Sequence, residues 1–236
     1  MKYFSDVNIS DNIDIAEFAY ENCHKNFSHE EILLELKGND DIKKQICIIN
    51  LDNINASSEA EILANTLTNQ STPIREACAF KINQFMKSEK FVCFFQDEKI
   101  IDIFINAIND VNPTVARSII EIIDKIENIS YLKEKLYKKI FSILEELKEF
   151  ISVKNYLLNK KTFNLYWCLE TISALTEKIE PDEELLEIIQ ISSKFNDYTI
   201  REKTAKIVKL YNTKLFEPLR IKLSDDENFY VRRYFL

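Results

Sequence analysis

Glycine is nearly missing from this chain: Gly38 is the only one in 236 residues. A loop that cradles a phosphate or dinucleotide on backbone N–H groups needs several glycines at close spacing. GxGxxG, GxSxG and GxxxxGK followed by Ser or Thr are all absent, which removes the common nucleotide folds and the nucleophile-elbow hydrolases. Tight two-residue hairpins also favour glycine at positive φ, so little sheet is expected. Histidine is almost as rare. The two present, His24 and His29, both lie near the N-terminus, which leaves most of the chain without a base for a Ser/His or Cys/His pair. Cys23, His24 and His29 form the only metal-like cluster. Zinc takes four ligands and no second Cys/His pair stands at finger spacing, so neither metal nor cofactor is expected.

Long apolar runs are missing too. The longest, such as Phe91–Phe95, are far short of 18 residues, so no transmembrane helix is expected. The opening MKYFSDVNISDNID lacks the apolar core and small-residue cleavage site of a secretory signal. Five cysteines (Cys23, Cys47, Cys78, Cys93, Cys168) are scattered without a CxxC pair, the pattern of reduced, buried thiols in a cytoplasmic protein.

What is present is apolar and charged in alternation. Hydrophobic residues make up 46% and charged residues 30%, the balance of a folded soluble chain. Leu, Ile, Glu and Lys dominate with 3.6-residue periodicity, so the fold class expected is all-α. The four prolines suit helix starts. Thr72-Pro73 and Asn112-Pro113 each place a capping side chain before a proline whose missing N–H costs nothing. Pro181 precedes DEELLEIIQI, and Pro218 falls in a first turn.

The stretches after these starts repeat. DDIKKQICIINL, TPIREACAFKINQF, NPTVARSIIEIIDKI, NDYTIREKTAKIVKLY and DENFYVRRYFL each set an aliphatic residue beside or just before a cation. The pairs are Ile42/Lys43, Ile74/Arg75, Val115/Arg117, Ile200/Arg201 and Val231/Arg232. A further copy, TFNLYWCLETISALTEKI, has core positions Leu165, Cys168, Leu169, Ile172, Leu175 and Ile179. A second helical segment precedes each copy, so the unit is a helical hairpin repeated along the chain, the pattern of a helical solenoid.

On these residues the chain resembles the HEAT repeat proteins, armadillo-type α-solenoids. The resemblance rests on the turn ending in Asp or Asn followed by an aliphatic and a basic residue: Asp41/Lys43, Asn69/Arg75, Asp110/Arg117, Asp197/Arg201 and Asp226/Arg232. It covers residues 28–236, with 1–27 an N-terminal capping helix of the same single domain. It implies an α-α superhelix of about five to six hairpins, an ionic ladder between neighbouring repeats through those pairs, and a binding surface on the concave side. There the candidate binding residues are Tyr166, Trp167 and Glu170, lying off the core stripe of their helix, with Phe80, Ile120, Glu121, Lys203 and Lys206.

The implied function is a non-enzymatic scaffold that binds another protein or peptide as a monomer. HEAT-like repeats also build bacterial alkylpurine DNA glycosylases. Those carry a basic concave face with clustered tryptophans, whereas this chain has net charge −8, one tryptophan and no Trp-Trp-Asp stretch. Nucleic acid is disfavoured accordingly. One region departs from the average: residues 194–236 hold ten Lys/Arg against six Asp/Glu. There Lys203, Lys206 and Lys209 share a helix with a Glu202–Lys206 pair at i,i+4 expected. A bilin-lyase-like HEAT protein is the remaining alternative by fold. The aromatics Phe91, Phe94 and Phe95, in the lengthened connection KSEKFVCFFQ, are expected to plug the ends of neighbouring helices.

Overall fold

A computed structural model describes residues 27–148 and 159–236. The expected capping helix and two members of the Cys23/His24/His29 cluster lie outside the described residues, as does most of the insertion SVKNYLLNKK. Among the described residues every regular element is a helix: α1 His29–Leu36, α2 Asp41–Asn50, α3 Ser57–Asn65, α4 Thr72–Met86, α5 Glu89–Val92, α6 Glu98–Ala107, α7 Pro113–Ile123, α8 Ile129–Leu147, α9 Asn159–Ala174, α10 Glu183–Ser192, α11 Tyr198–Tyr211, α12 Glu217–Ser224 and α13 Phe229–Arg232. None is long and apolar enough to cross a membrane.

Short polar side chains start these helices. Asp40 accepts from the amides of Ile42 and Lys43, Asp97 from Lys99, Asn112 from Thr114, Asp182 from Leu185, Asp197 from Thr199 and Asn228 from Tyr230. Each satisfies a donor that the helix leaves without an internal partner. Ser28 and Glu31 form a reciprocal capping box. The start of α4 differs from expectation. Thr72 is already helical, and the residue at the cap, Ser71, makes no side-chain cap bond. Asn69 instead folds the turn, its Oδ1 accepting from the Ser71 amide at 2.7 Å.

The chain divides into two compact units, residues 1–95 and 96–236. The boundary falls in the lengthened connection after α4. In the first unit α1 packs on α2, α3 on α4, and α2 on α4. Phe95 closes that unit, fully buried, with Phe85 and Phe91 in ring contact beside it. The aromatic run therefore plugs a helix end through Phe95, while Phe91 and Phe94 stay half-buried.

In the second unit the hairpins are α6/α7, α8/α9, α10/α11 and α12/α13. Their second helices pack in series, α7 on α9, α9 on α11, α11 on α13, and first helices α6, α8 and α10 do the same. The core is aliphatic: Ile119, Ile122 and Ile123 of α7, Leu165, Cys168, Leu169 and Ile172 of α9, and Ile200, Ile207 and Val208 of α11 are all at 0% exposure. Each such side chain contributes about 1.5–3 kcal/mol relative to solvent. Two-layer stacking of one hairpin on the next is how a repeat that cannot bury its own face gains a core.

Candidate functional site

The turn arginines come first, because they fix the register of the second helices. Arg201 lies four residues after the cap of α11, buried to 8% exposure. Its Nη1 donates to the carbonyls of Phe195 and Asn196 at 2.8 and 2.9 Å, closing its own turn. Its Nε and Nη2 hold the Asp226 carboxylate of the following hairpin at 2.7 and 3.0 Å. Arg75 stands four residues after Ser71 and closes its turn in the same way, on the carbonyls of Asn69 and Gln70. Arg232, four after Asn228, does so on Asp226 and Glu227.

Three positions depart from the expected ladder. Arg117 is five residues after its cap Asn112, not four. One residue turns a side chain by about 100° around the helix, and buried Ala116 takes the turn-facing place. Arg117 is exposed, and among the described residues it makes no hydrogen bond or ion pair; its guanidinium stands over the Trp167 ring, 5.9 Å from the centroid. Lys43 is displaced similarly. Lys44, four residues after Asp40, is the buried cation of that turn at 8% exposure. Asp197 is the cap of its own helix, and the acid facing Arg201 is Asp226 of the next hairpin. Asp110 and Asp226 sit two residues before their caps and brace the turn by accepting from Asn112 and Asn228. Asp41, at the start of α2, accepts from Asn69 at 3.5 Å.

Freed from the turn, Arg117 helps to line a cleft of about 430 Å³ in the second unit. The start of α7 supplies Pro113 and Arg117, α9 supplies Thr162, Phe163, Tyr166 and Trp167, and the start of α11 supplies Asp197 and Thr199. The aromatic wall is internally packed. Phe163 and Tyr166, one helical turn apart, stack at 6.4 Å, and both meet Trp167 edge-on at 5.6 and 5.3 Å. Trp167 is consequently 4% exposed although it lies off the core stripe, whereas Phe163 and Tyr166 keep part of their faces open. The Trp167 indole N–H has no hydrogen-bond partner among the described residues.

An ionic cluster lies beside this wall. Glu170, on α9, holds Lys203 and Lys206 of α11 at 2.8 Å each, and the Lys203 ammonium sits 4.7 Å above the Tyr166 ring. Burial pushes the Glu170 carboxyl up, but the two lysines outweigh it and hold the group below the usual carboxylate value. Lys206 thus pairs across helices, not with Glu202, which takes Arg233 at 2.7 Å. Of the other candidates, Glu121 is exposed one turn beyond Arg117, Ile120 is buried at 9%, and Phe80 belongs to the first unit, 69% exposed. Phe163, Thr162 and Thr199 are cleft residues that the sequence did not mark, and Pro113, expected as a helix start, lines the cleft as well. The period that placed Tyr166 off the core stripe also places Phe163 one turn before it.

Little here is arranged for chemistry. Burial pushes the thiols of Cys47, Cys78 and Cys168 up, to about 11, 12 and 12, the opposite of nucleophile activation. His29 bridges α1 and α3, its Nε2 2.9 Å from Glu59. Among the described residues no group of three His, Cys, Asp or Glu side chains is placed to hold a metal.

No family model matches the chain, and neither does any curated protein. Solved structures do. A designed armadillo repeat protein, solved in complex with the peptide (KR)4, is 12% identical over 88% of this chain and 96% of its own, with a TM-score of 0.50. An engineered protein is 12% identical over 89% of this chain and 96% of its own, also at 0.50. The fold is therefore an all-helical solenoid of the armadillo and HEAT repeat type.

Proposed function

We propose that this chain is a non-enzymatic binding module that holds a segment of another protein, and that the aromatic cleft of α7, α9 and α11 is its docking site. The observation that carries the reading is the partly open Phe163/Tyr166 stack in a cleft whose one cation, Arg117, is not used by the fold. Aromatic and arginine side chains are the residues in which binding energy concentrates, because they bury a large area at low entropic cost. Support also comes from the designed armadillo repeat protein of the same fold, which takes a peptide. Nucleic acid is a poorer fit: Lys203 and Lys206 share the one Glu170 carboxylate, so that cluster keeps a single net positive charge in a chain of net charge −8.

The test is a Phe163→Ser/Tyr166→Ser double variant alongside the wild-type chain. Both are immobilised and exposed to cytoplasmic extract, and bound proteins are quantified by mass spectrometry. Proteins retained by the wild type and lost from the variant, with melting of the two chains matched within a few degrees, support the cleft. Identical capture by both chains overturns it.

A further inference from the structure

We infer that the ligand of this cleft is an acidic segment, and that a carboxylate side chain of that segment is taken jointly by the Arg117 guanidinium and the Trp167 indole N–H. This rests on the cleft being the docking site argued above.

The first observation is the orphaned donor. Trp167 is 4% exposed, lines the cleft, and its Nε1–H meets no acceptor among the described residues. A buried N–H without a partner costs free energy that an incoming acceptor returns. The rings of Phe163 and Tyr166 meet the indole edge-on, and the oxygens of Asp197 and Thr199 that line the same cleft make no hydrogen bond to it.

The second observation is Arg117, which stands over the same indole, exposed and without an ion pair among the described residues. An arginine presents a planar fork of donors that matches a carboxylate. In this fold the fork is otherwise spent inside the turn, as Arg201 spends it on two carbonyls and Asp226. Arg201 on Asp226 shows what an arginine fork does here when a carboxylate is within reach.

The local charge agrees. The described lining carries one cation, Arg117, and one carboxylate, Asp197, while the cluster beside it sets Lys203 and Lys206 against the single Glu170, in a chain whose net charge is −8. Asp197 is already committed as a cap, accepting from the amide and the hydroxyl of Thr199. The starts of α7 and α11 also face the cleft, and the aligned peptide dipoles add partial positive charge there. A basic segment would meet Arg117 and find the Asp197 Oδ1 already holding two donors.

Trp167 is the single tryptophan, so the site carries its own reporter. Three capped peptides of twelve residues are titrated into the full chain: (Asp-Leu-Glu-Phe)3, its Asn/Gln counterpart, and a lysine-arginine repeat of equal length. The readouts are Trp167 fluorescence and the one indole N–H cross-peak in a nitrogen-15 correlation spectrum. The acidic peptide is expected to change the emission and move the cross-peak downfield, while the amide counterpart binds at least about tenfold more weakly. Arg117→Gln is expected to weaken the acidic peptide about tenfold. Trp167→Phe, which keeps a ring and removes the N–H, is followed with a labelled peptide and should also weaken it. Tighter binding of the basic peptide overturns the inference while leaving the cleft a peptide site. No response to any peptide removes the inference and counts against the docking site itself. Equal binding to Arg117→Gln and wild type likewise overturns the inference.

Discussion

Arg117 and Arg201 are the same residue type near the start of equivalent helices, and one position relative to the cap separates what they do. Arg201, four residues after Asp197, is buried and satisfies two carbonyls and a carboxylate. Arg117, five residues after Asn112, is exposed and, among the described residues, stands over a ring face with no hydrogen bond or ion pair. Removing Arg201 leaves Asp226 and two turn carbonyls without their donor in a site about 10% exposed. Arg201→Met should therefore cost ~3 kcal/mol, roughly a 6–12 °C fall in melting temperature for a chain of this size. Arg117→Met should cost less than about 1 kcal/mol, the scale of an exposed cation–π contact. Circular dichroism melts of the two variants decide this: equal losses would mean that the register difference has no energetic consequence.

At the scale of elements, the helices and their order were legible because amphipathic period, proline position and capping side chains all point the same way. Five of the second helices start close to the sequence reading, and the core stripe Leu165, Cys168, Leu169, Ile172 and Leu175 is buried throughout. The ladder was only half legible. Ile74-Arg75, Ile200-Arg201 and Val231-Arg232 are adjacent pairs, whereas Ala116 separates Val115 from Arg117. That spacing is visible in the sequence, but its meaning depends on where the cap falls. The resemblance implies a ladder between neighbouring hairpins, but that Arg201 takes Asp226 and not Asp197 was not legible within one repeat. The aromatic cleft needed three helices to be brought together, and local periodicity carries no such information. One element end is strained: Asn212, closing α11, has φ of 46°, the left-handed region, and its N–H donates to the Val208 carbonyl. Asparagine tolerates that region better than alanine, and glycine better still. Asn212→Ala should lower stability by about 1 kcal/mol, and Asn212→Gly by less, although both lose the Arg220 side-chain bond to Asn212. Urea midpoints compare them; equal losses would assign the effect to the side-chain bond and not to the backbone.

Over the molecule as a whole, the ties between neighbouring helices are charged, and that makes stability depend on acid. Asp226, Glu170, Asp182 and Glu59 share one pattern. Burial pushes each carboxyl up, but hydrogen bonds from Arg201, from Lys203 and Lys206, from Lys133, and from Asn55 and His29 outweigh it, so each stays below its ordinary value. A carboxyl held low in the folded chain takes up its proton more readily once unfolded, so the unfolded chain binds more protons as the pH falls. The stability these groups contribute is complete above the unfolded values near pH 4, and it is lost as the pH drops through the lower folded values. Melting temperature should hold between pH 7 and about pH 5 and fall steeply below about pH 4. Asp226→Asn isolates one contributor. It removes the carboxylate that Arg201 holds and so melts lower than wild type at pH 7. Because the wild-type chain loses the same contribution in acid, the gap between the two should narrow as the pH approaches 3. Melts at half-unit steps from pH 7 to pH 3 measure that gap. A gap that stays constant across the series would mean that the Arg201–Asp226 contact contributes through shape and not through charge.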